Sequence, residues 1–316
     1  MAKIEILISC HKNTEAVRNH ALHTIEVGSA LREQHFAADY RDDAGENISS
    51  QNPFYCELTA QYWAWKNLNA DYYGFFHYRR YMSFNKLPQE HDPYGNLLEP
   101  YIGDNTAEKL GLEAENIEKL VTQYDFVLPE EKDIRKMPGM GRNMRSQYMA
   151  SGYLHEEDLD IMMEVLREKS PEMVPVAESY EAGHKTWFNN MFIAKKEIFQ
   201  AYSAWLFDIL DACCKKMNME DYSIEALRTP GHLAERLLNI YFRYLIAQKK
   251  YRYTQLQTVA FMNTDPTPDV QPAFSQNNVA IALSANDYYV PYVSALLHSL
   301  KANIRGGNNY DILVMT

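Results

Sequence analysis

The sequence lacks the features that mark membrane-spanning and secreted proteins. No apolar run approaches the roughly 18 residues that a membrane-spanning helix needs. The short apolar run at the start is interrupted by Glu5, so it does not fit a signal peptide. The four cysteines, at positions 10, 56, 213 and 214, include no C-x-x-C pair of the kind that binds metal. We expect a cytoplasmic protein, with at most peripheral contact at the inner face of the plasma membrane.

Common phosphate-binding and cofactor-binding motifs are also missing. The chain contains no G-x-x-x-x-G-K-[ST] loop, and no G-x-G-x-x-G follows its first predicted strand. These absences argue against the usual phosphotransferases and against a Rossmann oxidoreductase. The formal net charge is -11, whereas a general nucleic-acid binder carries a basic surface. We therefore expect no nucleic-acid partner.

Hydrophobic patterning predicts an α/β protein. The 316 residues, 46% of them hydrophobic, are enough for one large core or two domains. Short apolar runs predict strands, and apolar residues at helical spacing predict helices between them. The predicted strands include residues 4–9, 72–77 and 187–194, and the predicted helices include 54–68, 155–169 and 232–247. Because ligands of open α/β sheets bind at the carboxyl ends of the strands, the residues that follow each strand are candidates for a site.

A second unit is predicted near the end of the sequence. Residues 263–278 hold three prolines among Thr, Asp, Ser and Gln, a composition typical of linkers. Beyond them a strand, a helix and a strand are predicted again. One β-α-β unit cannot bury both faces of its sheet. We expect a first domain over residues 1–262, a linker over 263–278, and the truncated start of a second domain over 279–316.

The strongest local signal is a cation cluster, His77, Arg79 and Arg80, at the end of the predicted strand 72–77. No metal-binding Asp-x-Asp follows this strand, and the one Asp-x-Asp in the sequence, at 158–160, lies in a predicted amphipathic helix. Arginine can stabilise a diphosphate directly through bidentate hydrogen bonds. We predict that the cluster replaces or supplements Mn²⁺ or Mg²⁺, and we assign no metal ligands. The alternative is that one arginine pairs with a carboxylate for stability.

Several longer motifs resemble one known family. They are Ile-Ser-Cys-His-Lys-Asn (8–13), Gly-Glu-Asn-Ile-Ser (45–49), Tyr-Cys-Glu-Leu-Thr-Ala-Gln-Tyr-Trp-Ala-Trp-Lys-Asn (55–67), Gly-Phe-Phe-His-Tyr-Arg-Arg-Tyr (74–81), Trp-Phe-Asn-Asn-Met-Phe (187–192), Trp-Leu-Phe (205–207) and Glu-Arg-Leu-Leu (235–238). Together they resemble the bacterial capsular and exopolysaccharide transferase domain catalogued as domain of unknown function 4422. The resemblance implies a GT-A-like (Rossmann-like) fold with a helical extension and transfer of galactofuranose from its UDP donor.

The second unit resembles a different family. Residues 279–292 look like the opening of a family-eight glycosyltransferase, which implies a bifunctional protein with two transferases in tandem. The sequence ends before any metal-binding Asp-x-Asp of that family, so we expect this fragment to be inactive by itself.

Donor contacts are predicted near the first strand and the segments after it. The polar loop 42–47 could contact uracil or ribose, although Asp, Gly and Asn also favour a plain turn. Two of the candidates share a helix face at i, i+4 spacing. The predicted donor-binding residues are Cys10, His11, Lys12, Asn13, Asp43, Asn47, Tyr62 and Lys66.

A general base must take the proton of the acceptor hydroxyl. The resemblance places an acidic catalytic residue at Glu235, which we expect in the first turn of a helix. There it would also favour the helix dipole without any catalytic role. Asp125 is the rival. One acid acting as base, without a second carboxylate as nucleophile, favours inversion. Predicted sugar and acceptor contacts are His184, Trp187, Asn189 and Asn190.

The predicted function is transfer of a hexosyl unit from a UDP-sugar to an oligosaccharide or lipid-linked glycan of a capsule, exopolysaccharide or O-antigen. UDP-galactopyranose or UDP-glucose would fit the same motifs. A carbohydrate-binding module without catalysis is the main alternative, and it would need no organised cations and acid. A glycoside hydrolase with two carboxylates is a further alternative, because glycosyl transfer and glycoside hydrolysis both pass through an oxocarbenium-like transition state. Such a hydrolase would not need arginines that bind a diphosphate.

Overall fold

A computed structural model describes residues 2–266, 271–276, 278–304 and 306–315. It divides the chain into two compact units, Met1–Pro266 and Thr267–Thr316. Part of the predicted linker, residues 267–270 and 277, lies outside the described residues. No helix among the described residues is long and apolar enough to cross a membrane.

The first unit is built on a ten-stranded sheet with a separate two-stranded ladder. The strands are β1 (Ile4–Cys10), β2 (Leu22–Glu26), β3 (Tyr40–Arg41), β4 (Tyr72–His77), β5 (Arg80–Met82), β6 (Leu97–Tyr101), β7 (Phe126–Pro129), β8 (Lys132–Asp133), β9 (Lys185–Thr186), β10 (Phe192–Lys195), β11 (Tyr253–Leu256) and β12 (Thr258–Asn263). The main path of the large sheet runs β11-β7-β10-β4-β1-β2-β3, and β5, β12 and β6 extend it beyond β4. This path is parallel except for β10, which is antiparallel to both of its neighbours, β4 and β7. The separate ladder pairs β8 with β9.

Helices cover both faces of this sheet. Leu7 of β1 belongs to one apolar core, and Ile6 and Ile8 of the same strand belong to a second core on the other face. Because side chains alternate along a strand, a fully apolar strand such as β1 must be covered on both sides. The predicted α/β class is confirmed. The helices are α1 (Asn52–Tyr55), α2 (Leu58–Asn67), α3 (Thr106–Leu110), α4 (Ala114–Val121), α5 (Met144–Met149), α6 (Glu156–Lys169), α7 (Val174–Ala182), α8 (Lys196–Lys216) and α9 (Thr229–Ala247).

Three predicted boundaries were wrong. The single helix predicted over 54–68 is broken into α1 and α2, because Cys56 has a φ of 51° and its carbonyl accepts a hydrogen bond from Asn52 Nδ2 at 2.8 Å. Helix α9 begins at Thr229 and not at residue 232, with Pro230 in its first turn. Glu235 therefore lies in the second turn. Strand β10 begins at Phe192 and not at residue 187.

The second unit is a β-α-β arrangement. It consists of β13 (Asn278–Ser284), α10 (Val290–Asn303) and β14 (Asn309–Met315). Strands β13 and β14 are parallel and in continuous register. The strand, helix and strand predicted here are confirmed. The assignment of this unit to a second transferase domain stays a prediction.

Candidate functional site

The candidate site lies at one edge of the sheet, where the carboxyl ends of β1 and β4 meet. These two strands are parallel neighbours, with Ser9 opposite His77. Strand β2 lies on the other side of β1, so the chain order reverses at β1, and ligands of open α/β sheets bind at such a point. Strand β10 is antiparallel to β4, with Phe192 opposite Phe75. The residues just before β10, including Asn189 and Asn190, therefore reach the same edge.

A first cleft of about 430 Å³ opens at the ends of β1 and β4. The His11 ring packs edge-on against Tyr78, with ring centroids 4.7 Å apart. Arg228 Nε donates to Cys56 Sγ at 3.2 Å. Neither Arg79 nor Arg228 has an ion pair among the described residues, so both guanidinium groups are available to an anionic ligand. The polar and charged residues that line this cleft include His11, Asn52, Cys56, Glu57, His77, Arg79 and Arg228.

A second cleft of about 400 Å³ shares Arg79 with the first. Arg80, Lys132 and Asn189 also line it. Lys132 is only 7% exposed, and its Nζ donates to Asn96 Oδ1. Burial, opposed by the charge of Asp92 and reinforced by that of Arg80, lowers the pKa of Lys132 to about 8. No single local pattern could have indicated this lysine.

The structure corrects the predicted role of His77. Its ring is largely buried between cations, and Nδ1 accepts the Arg79 backbone N–H at 3.4 Å. Burial, followed by the charges of Arg80 and Arg79, lowers the pKa of His77 to about 3. The imidazole is therefore neutral near pH 7 and adds no positive charge to the cluster. Within the predicted cation cluster, the positive charge comes from Arg79 and Arg80.

Glu235 is held at the same edge by two contacts. Its Oε1 accepts the Asn189 backbone N–H at 2.5 Å, and its Oε2 lies 3.2 Å from Arg236 Nη1. The Glu235 side chain is 19% exposed, so it is not closed off from solvent. Burial raises the pKa of Glu235, with Arg236 and the Asn189 N–H opposing this shift and Glu57 adding to it. A partly buried carboxylate with a raised pKa is suited to proton exchange.

A turn with left-handed backbone connects this carboxylate to a second one. Asn189 and Asn190 have φ values of 74° and 51°, in the left-handed region that asparagine adopts more readily than other residues with a side chain. The Asn190 Nδ2 donates to Glu57 Oε1 at 3.0 Å and lies 3.4 Å from the carbonyl of Gly231. Two carboxylates thus hold consecutive residues of one turn. Sequence analysis assigned no role to Glu57, because only the fold brings it to this turn.

Three of the four residues predicted after the first strand do not line either cleft. Cys10 is buried within β1, where its Sγ contacts the Ile8 carbonyl and the Thr14 hydroxyl, both at 3.4 Å. Burial raises the pKa of Cys10 to about 11, so it stays a thiol away from ligand. Lys12 pairs with Asp265 at 2.5 Å, and Asn13 is exposed. His11 alone faces the first cleft.

The other four predicted donor contacts form a surface network. The Asn47 side chain donates to the carbonyls of Asp43 and Gly45, which closes the loop as a turn. Tyr62 and Lys66 both contact Glu46, at 3.2 and 3.1 Å. Lys66 lies about 12 Å along α2 from the end that approaches the first cleft. The alternative of a plain turn fits Asp43 and Asn47, and α2 carries Tyr62 and Lys66 away from the site.

The predicted acceptor contacts divide between two places. Asn189 and Asn190 lie at the candidate site, whereas His184 and Trp187 line a third cleft of about 580 Å³. Trp187 is 2% exposed, its backbone is bonded to the Asn239 side chain, and the Arg243 guanidinium lies 4.6 Å from its ring centroid. The ring is therefore covered and cannot present a flat face to a sugar.

The remaining acidic candidates lie elsewhere. Asp125 precedes β7 at the opposite edge of the sheet and pairs with Lys195 at 2.6 Å, which makes it unsuitable as the rival base. Asp158 is buried and accepts the Tyr222 hydroxyl at 2.6 Å, while Asp160 faces solvent and pairs with Arg145. Both lie on α6, as predicted. Across the ranges that the structure describes, no group of three or more His, Cys, Asp or Glu residues is placed to hold a metal ion.

Comparisons with known proteins support the fold. The model of a family described as "Domain of unknown function (DUF4422)" matches residues 5–249. The apo structure of the bifunctional glycosyltransferase WbbM is similar, with 32% identity and a TM-score of 0.79. The match covers 99% of this chain and 54% of that one, so the chain spans about half the length of its relative. A search of curated proteins gave no match. The fold is GT-A-like, as the family resemblance implies.

Proposed function

The chain belongs to the DUF4422 family, and on that premise we propose that residues 1–262 form a glycosyltransferase that moves a hexosyl unit from a UDP-sugar to a glycan acceptor. One observation carries this proposal. Arg79 and Arg228, which form no ion pair within the described part of the chain, face a cleft at the carboxyl edge of the sheet, and a partly exposed carboxylate, Glu235, is held close to the same edge. A carbohydrate-binding module would need neither feature. The similarity to a bifunctional glycosyltransferase supports the same class of activity.

The first task of such an enzyme is to stabilise the leaving UDP. We propose that the uridine diphosphate occupies the first cleft, with its phosphates between Arg79 and Arg228. Guanidinium groups can bind phosphate oxygens in pairs, and each charge-assisted hydrogen bond contributes about 1.5–3 kcal/mol. The two arginines take the role that a metal ion has in many related enzymes. Assistance by Mn²⁺ or Mg²⁺ is the alternative that the experiment below separates.

The second task is to deprotonate the acceptor hydroxyl. We propose Glu235 as the general base, because its carboxylate is partly exposed beside Asn189, which lines the second cleft, and its pKa is raised by burial. The Asn189 N–H and the Arg236 guanidinium each bind one oxygen of this carboxylate, so we propose that the acceptor hydroxyl gives its proton to a remaining lone pair. We assign Glu57 to holding the turn, because its Oε1 accepts a hydrogen bond from Asn190. With one carboxylate assigned as base and none as nucleophile, we propose a single displacement with inversion.

The donor and the pathway are proposed from the family resemblance. We propose UDP-galactofuranose as the donor and a growing capsular polysaccharide, exopolysaccharide or O-antigen in the cytoplasm as the acceptor. The unit at residues 279–316 is proposed to belong to a second transferase domain of the family-eight type. That would make the whole protein bifunctional, as its relative is described to be.

Calorimetric titration with UDP-galactofuranose, UDP-galactose and UDP-glucose, each with and without EDTA, tests the proposal. We expect one UDP-sugar to bind tightly and its affinity to survive EDTA. The Arg228→Gln variant should lose that binding, whereas Arg135→Gln, an exposed arginine paired with Asp133, should keep it. Binding only with added metal would overturn the arginine mechanism. Binding of glycans but of no UDP-sugar would favour a carbohydrate-binding module, and UDP release without acceptor would favour a hydrolase.

A further inference from the structure

The second cleft contains more positive charge than the proposed donor site requires. Arg80 and Lys132 line this cleft but not the first one, which already has Arg79 and Arg228 for a diphosphate. Among the described residues, neither Arg80 nor Lys132 forms an ion pair with a carboxylate. The nearby acidic residue Asp92 lies on the lining of the same cleft and raises the pKa of Lys132 without pairing with it.

Such an arrangement is costly in the absence of an anion. Only 7% of the Lys132 surface is exposed, and its Nζ donates a hydrogen bond to the neutral amide oxygen Asn96 Oδ1. A buried cation is unfavourable unless an opposite charge and hydrogen bonds compensate for its lost hydration. The chain has a net charge of -11, so carboxylates are abundant, yet none pairs with this lysine among the residues described. A ligand anion would supply the missing charge.

Apolar side chains also line the second cleft. They are Met137, Met140, Phe188 and Met262, of which Met262 is exposed. Methionine side chains adapt to irregular apolar shapes, and aromatic rings pack against the flat faces of sugars or against hydrocarbon. The lining of the cleft thus combines cations with apolar groups, and a purely hydroxylated sugar would satisfy neither.

The second cleft is also correctly placed for an acceptor. Asn189 lines it, and the backbone N–H of Asn189 is bonded to Glu235, the proposed base. Arg79 lines both clefts and would therefore lie between the donor diphosphate and a ligand in the second cleft. We propose that the second cleft binds the acceptor and that Arg80 and Lys132 recognise a phosphate group carried by that acceptor. This inference rests on the proposed transferase function only where it identifies the phosphate-bearing ligand as the acceptor. The phosphate site itself does not depend on that function.

Binding of small phosphates to the UDP-saturated protein tests the inference. Hexyl phosphate and galactose 1-phosphate are the probes, with hexyl glucoside and galactose as their neutral counterparts, and calorimetry in excess UDP keeps the first cleft occupied. We expect both phosphates to bind at least tenfold more tightly than the neutral compounds, because charge-assisted hydrogen bonds are lost in the latter. Tighter binding of hexyl phosphate would indicate hydrocarbon against the apolar side chains, and tighter binding of galactose 1-phosphate would indicate a sugar.

Two glutamine variants make the test specific. Lys132→Gln should weaken phosphate binding by about tenfold or more and leave the affinity for UDP unchanged. Lys136→Gln removes the same charge from an exposed position outside the cleft, four residues away, and should change neither affinity. Thermal unfolding of each variant shows whether it is folded.

The outcomes separate this inference from the proposed function. If UDP displaces the phosphates, or if Lys132→Gln lowers UDP affinity, then Lys132 serves the donor and the inference is wrong. Equal binding of phosphates and neutral compounds to the UDP-bound protein would overturn it too. If UDP itself does not bind, the proposed donor site fails, while the response of phosphate binding to Lys132→Gln still decides whether the second cleft is an anion site.

Discussion

Replacing Glu235 with glutamine separates catalysis from binding at the proposed site. Glutamine has nearly the same shape, and its side-chain oxygen can still accept the Asn189 N–H that Glu235 Oε1 accepts at 2.5 Å. It cannot accept a proton from the acceptor hydroxyl. Loss of a general base lowers turnover by about 10²–10⁴-fold. We therefore expect kcat to fall by that factor, while the Kd of the UDP-sugar changes by less than about threefold, because no donor contact is assigned to Glu235.

The same substitution has a calculable effect on stability. Glu235 Oε2 lies 3.2 Å from Arg236, whose side chain is 4% exposed. Removing the charge leaves that guanidinium with the Gln147 side chain and the His232 carbonyl as remaining partners. The loss should be about 1–3 kcal/mol of unfolding free energy, less than for a buried cation left without any partner. Urea denaturation measures this loss, and a folded variant with unchanged donor affinity validates the kinetic comparison.

Glu57→Gln is the matched control for this experiment. Glu57 accepts a hydrogen bond from Asn190, the residue next to Asn189, so it contacts the same turn as Glu235 without sharing its proposed role. We expect Glu57→Gln to lower kcat by less than about tenfold, through a looser turn. If Glu57→Gln abolishes turnover while Glu235→Gln retains it, the assignment of the base is refuted. Equal losses in both variants would point to two carboxylates that act in the reaction.

Three more variants test other contacts of the site. Arg79→Gln should raise the Kd of the UDP-sugar by about 10–100-fold in calorimetry, whereas Arg135→Gln should leave it unchanged. Equal increases in both variants would show that the overall charge of the protein, and not a contact of Arg79, determines the affinity. Asn190→Ala should lower the unfolding free energy by about 2 kcal/mol, because the hydrogen bond to Glu57 is lost and alanine is strained in the left-handed region. Urea denaturation measures this loss, and an unchanged denaturation midpoint would contradict it. The folded-state pKa of His77, about 3, is below its unfolded value of 6.5. Protons therefore bind preferentially to the unfolded chain, and the free energy of unfolding falls as the pH drops from 6.5 toward 3. His77→Gln should reduce that slope by up to about 1.4 kcal/mol per pH unit, and a variant with the wild-type slope would show that the pKa of His77 is not lowered.

The sequence predicts the central strands and therefore one part of the site. The apolar run at residues 4–9 and the run at 72–77 are buried on both faces, and such runs are a reliable signal of parallel strands. Since ligands bind where parallel strands end, the strand pattern alone is enough to place His11 and the Arg79–Arg80 pair at the site. The same reasoning could not show that His77 is neutral, because its pKa depends first on how deeply the fold buries the ring and only then on the charges of Arg80 and Arg79.

The other parts of the site depend on contacts between distant segments. Lys132 and Arg228 are isolated cations in irregular stretches, and no spacing rule distinguishes them from exposed lysines and arginines. The helix break at Cys56, which turns Glu57 toward Asn190, was missed because the apolar spacing continues across it. The opposite error occurred at Tyr62 and Lys66. Their i, i+4 spacing correctly places them on one helix face, but that face carries a surface contact with Glu46.

The direction of one strand explains how the proposed base reaches the proposed donor. Strand β10 is antiparallel to β4, so the chain enters β10 at the carboxyl edge of the sheet and leaves it at the amino edge, where Lys195 pairs with Asp125. If β10 were parallel to β4, the Asn189–Asn190 turn would lie at that amino edge, remote from Arg79. The reversed strand instead delivers the turn to the edge where β1 and β4 end, and the Asn189 N–H then fixes a carboxylate from α9. The site thus combines cations that follow a parallel strand with an acid held by a turn that precedes an antiparallel one, and neither group has a fixed sequence distance from the other.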